Sequence, residues 1–233
     1  MKKITLSLVS VVALSGISFA GGDVATVAPE VDQTYWYAGG AGIYYRTYSI
    51  DKGWFDDSVK TQDEIGGLTA IIGYNYNEYI AIEGRISGTF YEESYSDSIN
   101  YGIYLKPYYK IIDKDRTIEE EEDGFFSVYA LFGFGIVKVK GVDGKPPAHV
   151  EDFGKTILDD SGFQWGLGLS YTFVDRDDDE SFEELHDGDI TIYVEYLSLI
   201  KDASINSRLY GYDPEYYSKL SQDSISVGIT YRF

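Results

Sequence analysis

The twelve residues from Gln222 to Phe233 alternate without interruption. Ile225, Val227, Ile229, Tyr231 and Phe233 fall on one side, and Ser224, Ser226, Gly228, Thr230 and Arg232 on the other. A period of two over this length describes a β-strand with one apolar face and one small or polar face. At the edge of a soluble sheet such a strand would invite aggregation. If it pairs with the first strand of the chain, the edge disappears and the apolar face is free to meet lipid. Closure of that kind requires further strands of the same pattern, in even number.

The chain opens Met1-Lys2-Lys3, then an apolar run from Ile4 to Leu14, then Ser18-Phe19-Ala20. A positive start, a short apolar core and a small-x-small end make a secretory signal peptide, residues 1–20, cut before Gly21. The run is too short for a membrane-spanning helix, which needs about 20 residues. Residues 21–34 lack periodicity and read as a short lead-in. No later segment is long and apolar enough to cross as a helix, so strands must do so. Cysteine is absent, which removes disulfides, thiolate metal sites and cysteine nucleophiles. The 23 Tyr and 12 Phe suit a membrane–water boundary, and the 25 Gly suit crowded inner faces of strongly bent strands. A net charge of −20, more negative once Lys2 and Lys3 are removed, argues against nucleic acid as a partner.

Seven further strands fit the pattern: 35–48, 64–76, 79–91, 99–110, 125–138, 163–173 and 189–200. On the third, Ile80, Ile82, Ile86 and Phe90 face outward, against Ala81, Glu83, Arg85, Ser87 and Thr89. On the sixth, Phe163, Trp165, Leu167, Leu169, Tyr171 and Phe173 alternate with Gln164, Gly166, Gly168, Ser170 and Thr172. Asn75-Tyr76-Asn77-Glu78 reads as a tight turn, and residues 139–160 as a long loop containing Pro146-Pro147. A soluble sandwich also alternates, but glycine on its wet face gains nothing, whereas eight strands closed on themselves leave room only for side chains. The expected fold is all-β: an eight-stranded antiparallel up-and-down transmembrane barrel over residues 35–233.

Four stretches carry a family resemblance: Trp36-Tyr37-Ala38-Gly39-Gly40, residues 73–83 (GYNYNEYIAIE), Val194-Glu195-Tyr196, and residues 227–233 (VGITYRF). Through them the chain resembles the eight-stranded transmembrane domain of OmpA-type outer-membrane proteins. The resemblance implies a Gram-negative outer membrane, termini in the periplasm, and connections near residues 47–63, 91–98, 139–160 and 201–221 outside. It also implies that Tyr231 and Phe233 form the aromatic signal read by the outer-membrane insertion machinery. Larger members carry a peptidoglycan-binding domain after the barrel; anchoring to the wall by that route is not expected here. Outer-membrane lipids and lipopolysaccharide are the expected surroundings, and a barrel without an edge is expected to be monomeric.

The inward charges are Glu83, Arg85, Lys106 and Glu195, with Arg46 and Arg232 nearer the ends. Buried charge must pair, either as a structural plug or as a gate over a thin ion pathway. Glu83 and Lys106 resemble members of the family's interior network, but Ser170 and Tyr193 stand where its further Glu and Arg would be, which favours the plug. The acidic runs Glu119–Asp123 and Asp175–Asp179, with Glu183, Glu184, Asp187 and Asp189, are read as solvated charge; Glu180 stands where a calcium loop would need glycine. No metal or cofactor is expected. The only histidines, His149 and His186, lie in connections, so a Ser–His arrangement lacks a scaffold and no enzyme is expected. Trp54, Phe55, Tyr210, Tyr212, Tyr216 and Tyr217 are aromatics among acids in outer connections, candidate contacts for a partner. A structural envelope role is the leading expectation, with a small gated pore or an adhesin as alternatives.

Overall fold

The computed structural model describes residues 34–49, 61–77, 79–90, 96–111, 124–141, 156–173, 188–204 and 219–233. They form eight strands: β1 (Tyr35–Ser49), β2 (Thr61–Asn77), β3 (Ile80–Thr89), β4 (Ser96–Ile111), β5 (Gly124–Gly141), β6 (Thr156–Phe173), β7 (Ile190–Ser204) and β8 (Lys219–Arg232). Each pairs antiparallel with its chain neighbour, and β1 closes on β8 through pairs such as Gly42 with Val227 and Ala38 with Tyr231. The Phe233 amide donates to the Trp36 carbonyl at 3.0 Å, extending the seam to the last residue. The end carrying Tyr35 and Phe233 is the base, and the opposite end is the crown.

The eight-stranded closed fold matches the sequence expectation, and the alternation sorts as read over most of each strand. Ile82, Ile86, Ile103, Leu105, Phe132, Phe134, Leu167, Leu169, Val227 and Ile229 are exposed on the outer face. On β5 this apolar row runs from Phe126 to Ile136, which at ~3.3 Å per residue and a tilt of roughly 40° rises about 25 Å, the height of an apolar band in such barrels. Aromatic contacts gird the base: Trp36 with Tyr74 at 5.0 Å, Phe126 with Tyr171 at 4.7 Å, and Tyr171 with Phe173 at 4.8 Å. At the base turn between β2 and β3, Asn77 Oδ1 accepts the Tyr79 amide at 2.9 Å, the side-chain turn chemistry expected of Asn.

Toward the crown the pattern inverts. Lys138 and Asp159 pair outside at 3.2 Å, whereas Val137, Val139 and Leu158 are buried inside. This corrects the reading of 139–160 as a loop: β5 continues to Gly141 and β6 begins at Thr156. The crown boundaries of β2, β4, β7 and β8 move in the same direction, to Thr61, Ser96, Ser204 and Lys219, whereas β3 ends at Thr89, short of the expected 91. Above the lipid a strand has water outside, so charge turns outward and apolar side chains turn in. Two register shifts in β7, between Ser198 and Ile200 and between Ile200 and Ala203, let the consecutive Leu199 and Ile200 both be buried. Asp202 absorbs the irregularity with φ of 53°, its amide donating to Ser221 Oγ at 2.9 Å.

Candidate functional site: the barrel lumen

Glu83 and Arg85 lie two apart on β3 and so share its inner face. Arg85 Nε donates to Glu83 Oε2 at 2.8 Å, and a second nitrogen also reaches that carboxylate. The same guanidinium crosses the lumen to Glu195 on β7, donating from NH1 to Oε1 and from NH2 to Oε2, the latter at 3.1 Å. Lys106 on β4 donates to Glu83 Oε1 at 2.8 Å. Tyr37 donates to Glu83 at 2.6 Å, Tyr129 to Glu195 at 2.9 Å, and Ser226 to Glu195 at 3.0 Å. The structure therefore brings together all four interior charges named from the sequence. Two acids and two bases balance, and each carboxylate also accepts from a phenol, as buried ions require.

Glycines make this geometry possible. Tyr37 is the register partner of Gly73, Tyr129 of Gly168, Tyr104 of Gly133, and Tyr193 of Gly228. A Cβ at any of these four glycines would run into the paired tyrosine ring. The ring thus lies flat over the neighbouring strand, filling a narrow lumen and sending its hydroxyl onward. Gly73 is also the partner of Glu83, and Gly168 of Glu195, so the tyrosines reach the acids through space that the glycines leave. Lys106 Nζ sits 4.3 Å from the centre of the Tyr129 ring, and the Arg85 guanidinium 5.4 Å from that of Tyr104.

Below this cluster a vestibule of about 60 Å³ opens to the base, lined by Tyr35, Tyr108, Lys110, Asp189 and Arg232 among others. Arg232 contacts Asp189 at 3.5 Å and lies over the Tyr35 ring at 3.9 Å. Above the cluster, Tyr104 donates to Gln164, which donates to Asn100 at 2.9 Å. Higher still, Val137, Val139, Leu158, Leu199, Ile200 and Leu220 are buried in the crown half. Gln222 sits among them, donating to Thr47 at 3.0 Å and Ser98 at 2.6 Å.

Arg46 is a correction. It stands on the outer face of β1 with Trp36 and Tyr44, not in the lumen, and clasps Asp223 through Nε at 3.1 Å and NH2 at 2.6 Å. Ser170 and Tyr193 are buried in the lumen without charge; Arg85 and Glu195 supply the second acid–base pair from other positions. Tyr231 and Phe233 are exposed on the lipid face at the base. Trp54, Phe55, Tyr210, Tyr212, Tyr216, Tyr217, His149, His186 and the acidic runs 119–123 and 175–187 lie outside the described residues. Among the described residues no cluster of three or more metal-ligating side chains occurs. Sequence reasoning did not single out Tyr37, Tyr129 or the apolar crown layer. The signal for the tyrosines is an inward Tyr facing a Gly in register, which becomes visible only once the register is known.

Three solved structures illustrate what the chain is similar to. One is Ail, the attachment invasion locus protein of Yersinia pestis, solved with the heparin analogue sucrose octasulfate: 15% identity, 86% of this chain and 99% of that one, TM-score 0.46. Neisserial surface protein A gives 11% identity over 87% of this chain and 100% of that chain, TM-score 0.46. OprG from Pseudomonas aeruginosa gives 13% identity over 85% and 96%, TM-score 0.40. No curated protein matches the sequence. The family model described as the outer membrane protein beta-barrel domain matches residues 7–233, nearly the whole chain, and the closed eight-stranded barrel built above is the architecture it names: the chain belongs to the outer-membrane β-barrel family.

Proposed function

We propose that this outer-membrane barrel is a non-conducting, non-enzymatic structural body that contributes to envelope integrity and holds its crown connections above the outer surface. The observation that carries the reading is the apolar layer of Val137, Val139, Leu158, Leu199, Ile200 and Leu220, stacked in series with the ionic cluster of Glu83, Arg85, Lys106 and Glu195. An ion entering the base vestibule meets charges already paired and then a crown interior where apolar side chains crowd round the Gln222 amide, itself tied to Thr47 and Ser98, leaving little to replace its hydration shell. The pairing of Lys138 with Asp159 on the outside of the same segment supports a stiff wall rising beyond the lipid.

In this reading the base faces the periplasm, the crown faces outward, and the protein is a monomer among outer-membrane lipids and lipopolysaccharide. A cleaved leader delivers it, and the aromatic pair Tyr231 and Phe233 is read during insertion. The test is single-channel recording of the refolded protein in planar bilayers. No conductance steps are expected; regular steps at modest voltage would replace this reading with the pore. Contact with a partner through the tyrosines between 210 and 217 is tested by deleting residues 205–218, which spares the buried Ala203 and the strand residue Lys219. Reduced binding to cells or matrix would turn the loop-presenting role into adhesion.

A further inference from the structure

The outer surface of the barrel is not uniform. On β5 and β6 it carries a ridge of Phe132, Phe134, Phe163 and Trp165, all exposed, with the Phe132 and Phe163 rings stacked at 6.5 Å. On the other side it sinks into an apolar recess of about 770 Å³, which runs from Val227 on β8 to Tyr101 on β4 over a floor of Gly40, Gly42, Ala70 and Gly88. A recess of that size accepts a drug-sized molecule, and so has room for several aromatic rings. The pairing fixes the heights of both features. Followed from partner to partner, it leads from Trp36 through Leu105, Phe132 and Ser198 back to β1 at Arg46, ten residues nearer the crown. Half a turn therefore climbs about five residues, so Phe132 stands level with residue 41 on the opposite wall, between Gly40 and Gly42. Phe134, Phe163 and Trp165 lie within about three residues of that height by the same stagger.

Ridge and recess thus lie on opposite sides of a ring of eight strands, at one height within the apolar band. Copies of the chain inserted in the same direction share that height, so translation in the membrane plane brings the ridge of one against the recess of the next. Three of the four ridge residues are phenylalanine, which has no polar tip to offer head groups as tyrosine and tryptophan do at a membrane boundary. The glycine and alanine floor lets a neighbour approach closely, and in lipid it is packing of this kind that drives association. In that arrangement β5 faces the neighbour's β2, and β6 faces its β1. Just above the lipid, Lys138 then stands across from Glu64, and Asp159 across from Arg46. Both meetings are between opposite charges, and each side chain keeps the partner it has within its own barrel.

We propose that this barrel associates with further copies of itself in the membrane, ridge into recess. Because the two faces are opposite one another, the contact is heterologous and does not close, so it makes rows. Each unit of a row remains a closed monomeric barrel. The test is thiol cross-linking in the outer membrane of cells expressing two forms of this cysteine-free chain, Lys138→Cys and Glu64→Cys, treated with a short bismaleimide. The two forms together should give at least roughly tenfold more dimer than either form alone. A chain carrying both substitutions should give a ladder of higher species. Gly42→Leu fills the floor at a point where a Cβ meets nothing nearer than 4.0 Å, so the barrel should fold, as its heat-dependent mobility on gels will show. Gly42→Leu, and separately Phe134→Ala with Phe163→Ala, should each lower the mixed dimer roughly tenfold. Val194→Leu, on the outer face of β7, should change nothing. Three results would overturn the proposal: a mixed dimer no more abundant than chance pairing, an excess of dimer from either form alone, or a yield unaffected by Gly42→Leu. The second would indicate a two-fold contact, and the third would leave the recess to lipid.

Discussion

Arg85 on β3 hydrogen-bonds to Glu195 on β7, a strand half-way round the ring of eight, so one guanidinium braces opposite walls of the barrel. Every other polar contact of the central cluster converges on this brace or on the two acids it joins.

Removing the brace strands charge. Arg85→Met leaves Glu83 and Glu195 buried with only Lys106 to balance them, and truncating one member of a buried ionic group costs about 3–5 kcal/mol. Equilibrium urea unfolding in lipid vesicles should register a loss of that order. The double variant Arg85→Met, Glu195→Gln, which keeps the Glu83–Lys106 pair and strands no charge, should recover much of it.

The tyrosine–glycine pairs yield a second expectation. Gly168→Ala forces a Cβ into the Tyr129 ring and should destabilise by about 1–3 kcal/mol, the range for overpacking. In a Tyr129→Leu background the same substitution should cost less, and a double-mutant cycle on unfolding free energies measures the difference. Additive effects would mean that ring and glycine do not share space.

The two seals of the lumen should behave as locks in series. Glu83→Gln with Arg85→Gln alone should remain silent in planar bilayers, because the apolar crown layer is untouched. Conductance should emerge only when Leu199→Ser and Leu220→Ser are added. Opening by the ionic substitutions alone would assign the whole barrier to the charges.

Phe233 is exposed to lipid, and its amide completes the β1–β8 seam. Phe233→Ala should therefore slow membrane assembly, followed by the heat-dependent mobility shift of the folded barrel on gels. Its unfolding free energy should change by less than about 1 kcal/mol, as for an exposed side chain away from buried features.

How far the sequence could be read follows from what alternation does and does not carry. Within the apolar band the inner and outer rows were legible, because lipid outside and a narrow lumen inside impose opposite demands on successive residues. Near the crown the same rule misled: Val139 and Lys140 continue the alternation of Val137 and Lys138, but with charge outside, and so read as the start of a loop at residue 139. Arg46 was misplaced for the same reason, since an outward charge is out of place in lipid but ordinary just above it. The inward direction of Glu83, Arg85, Lys106 and Glu195 could be inferred, but not their meeting. That depends on the stagger of the strands, which sets the height of Glu195 relative to Arg85 across 110 positions of chain. The β7 irregularity that buries both Leu199 and Ile200 has no signature in local composition.

The inversion of polarity along the barrel axis is the claim on which the closed lumen rests, and the absence of cysteine makes it directly measurable. Single cysteines placed in turn at positions 134 to 140 of β5, spin-labelled in vesicles, report oxygen access from lipid and nickel-chelate access from water. The labels at Phe134 and Ile136 should be relaxed by oxygen, those at Lys138 and Lys140 by nickel, and those at Val137 and Val139 by neither. Nickel access at Val137 and Val139 equal to that at Lys138 would mean that the crown is a wet channel, contradicting the account.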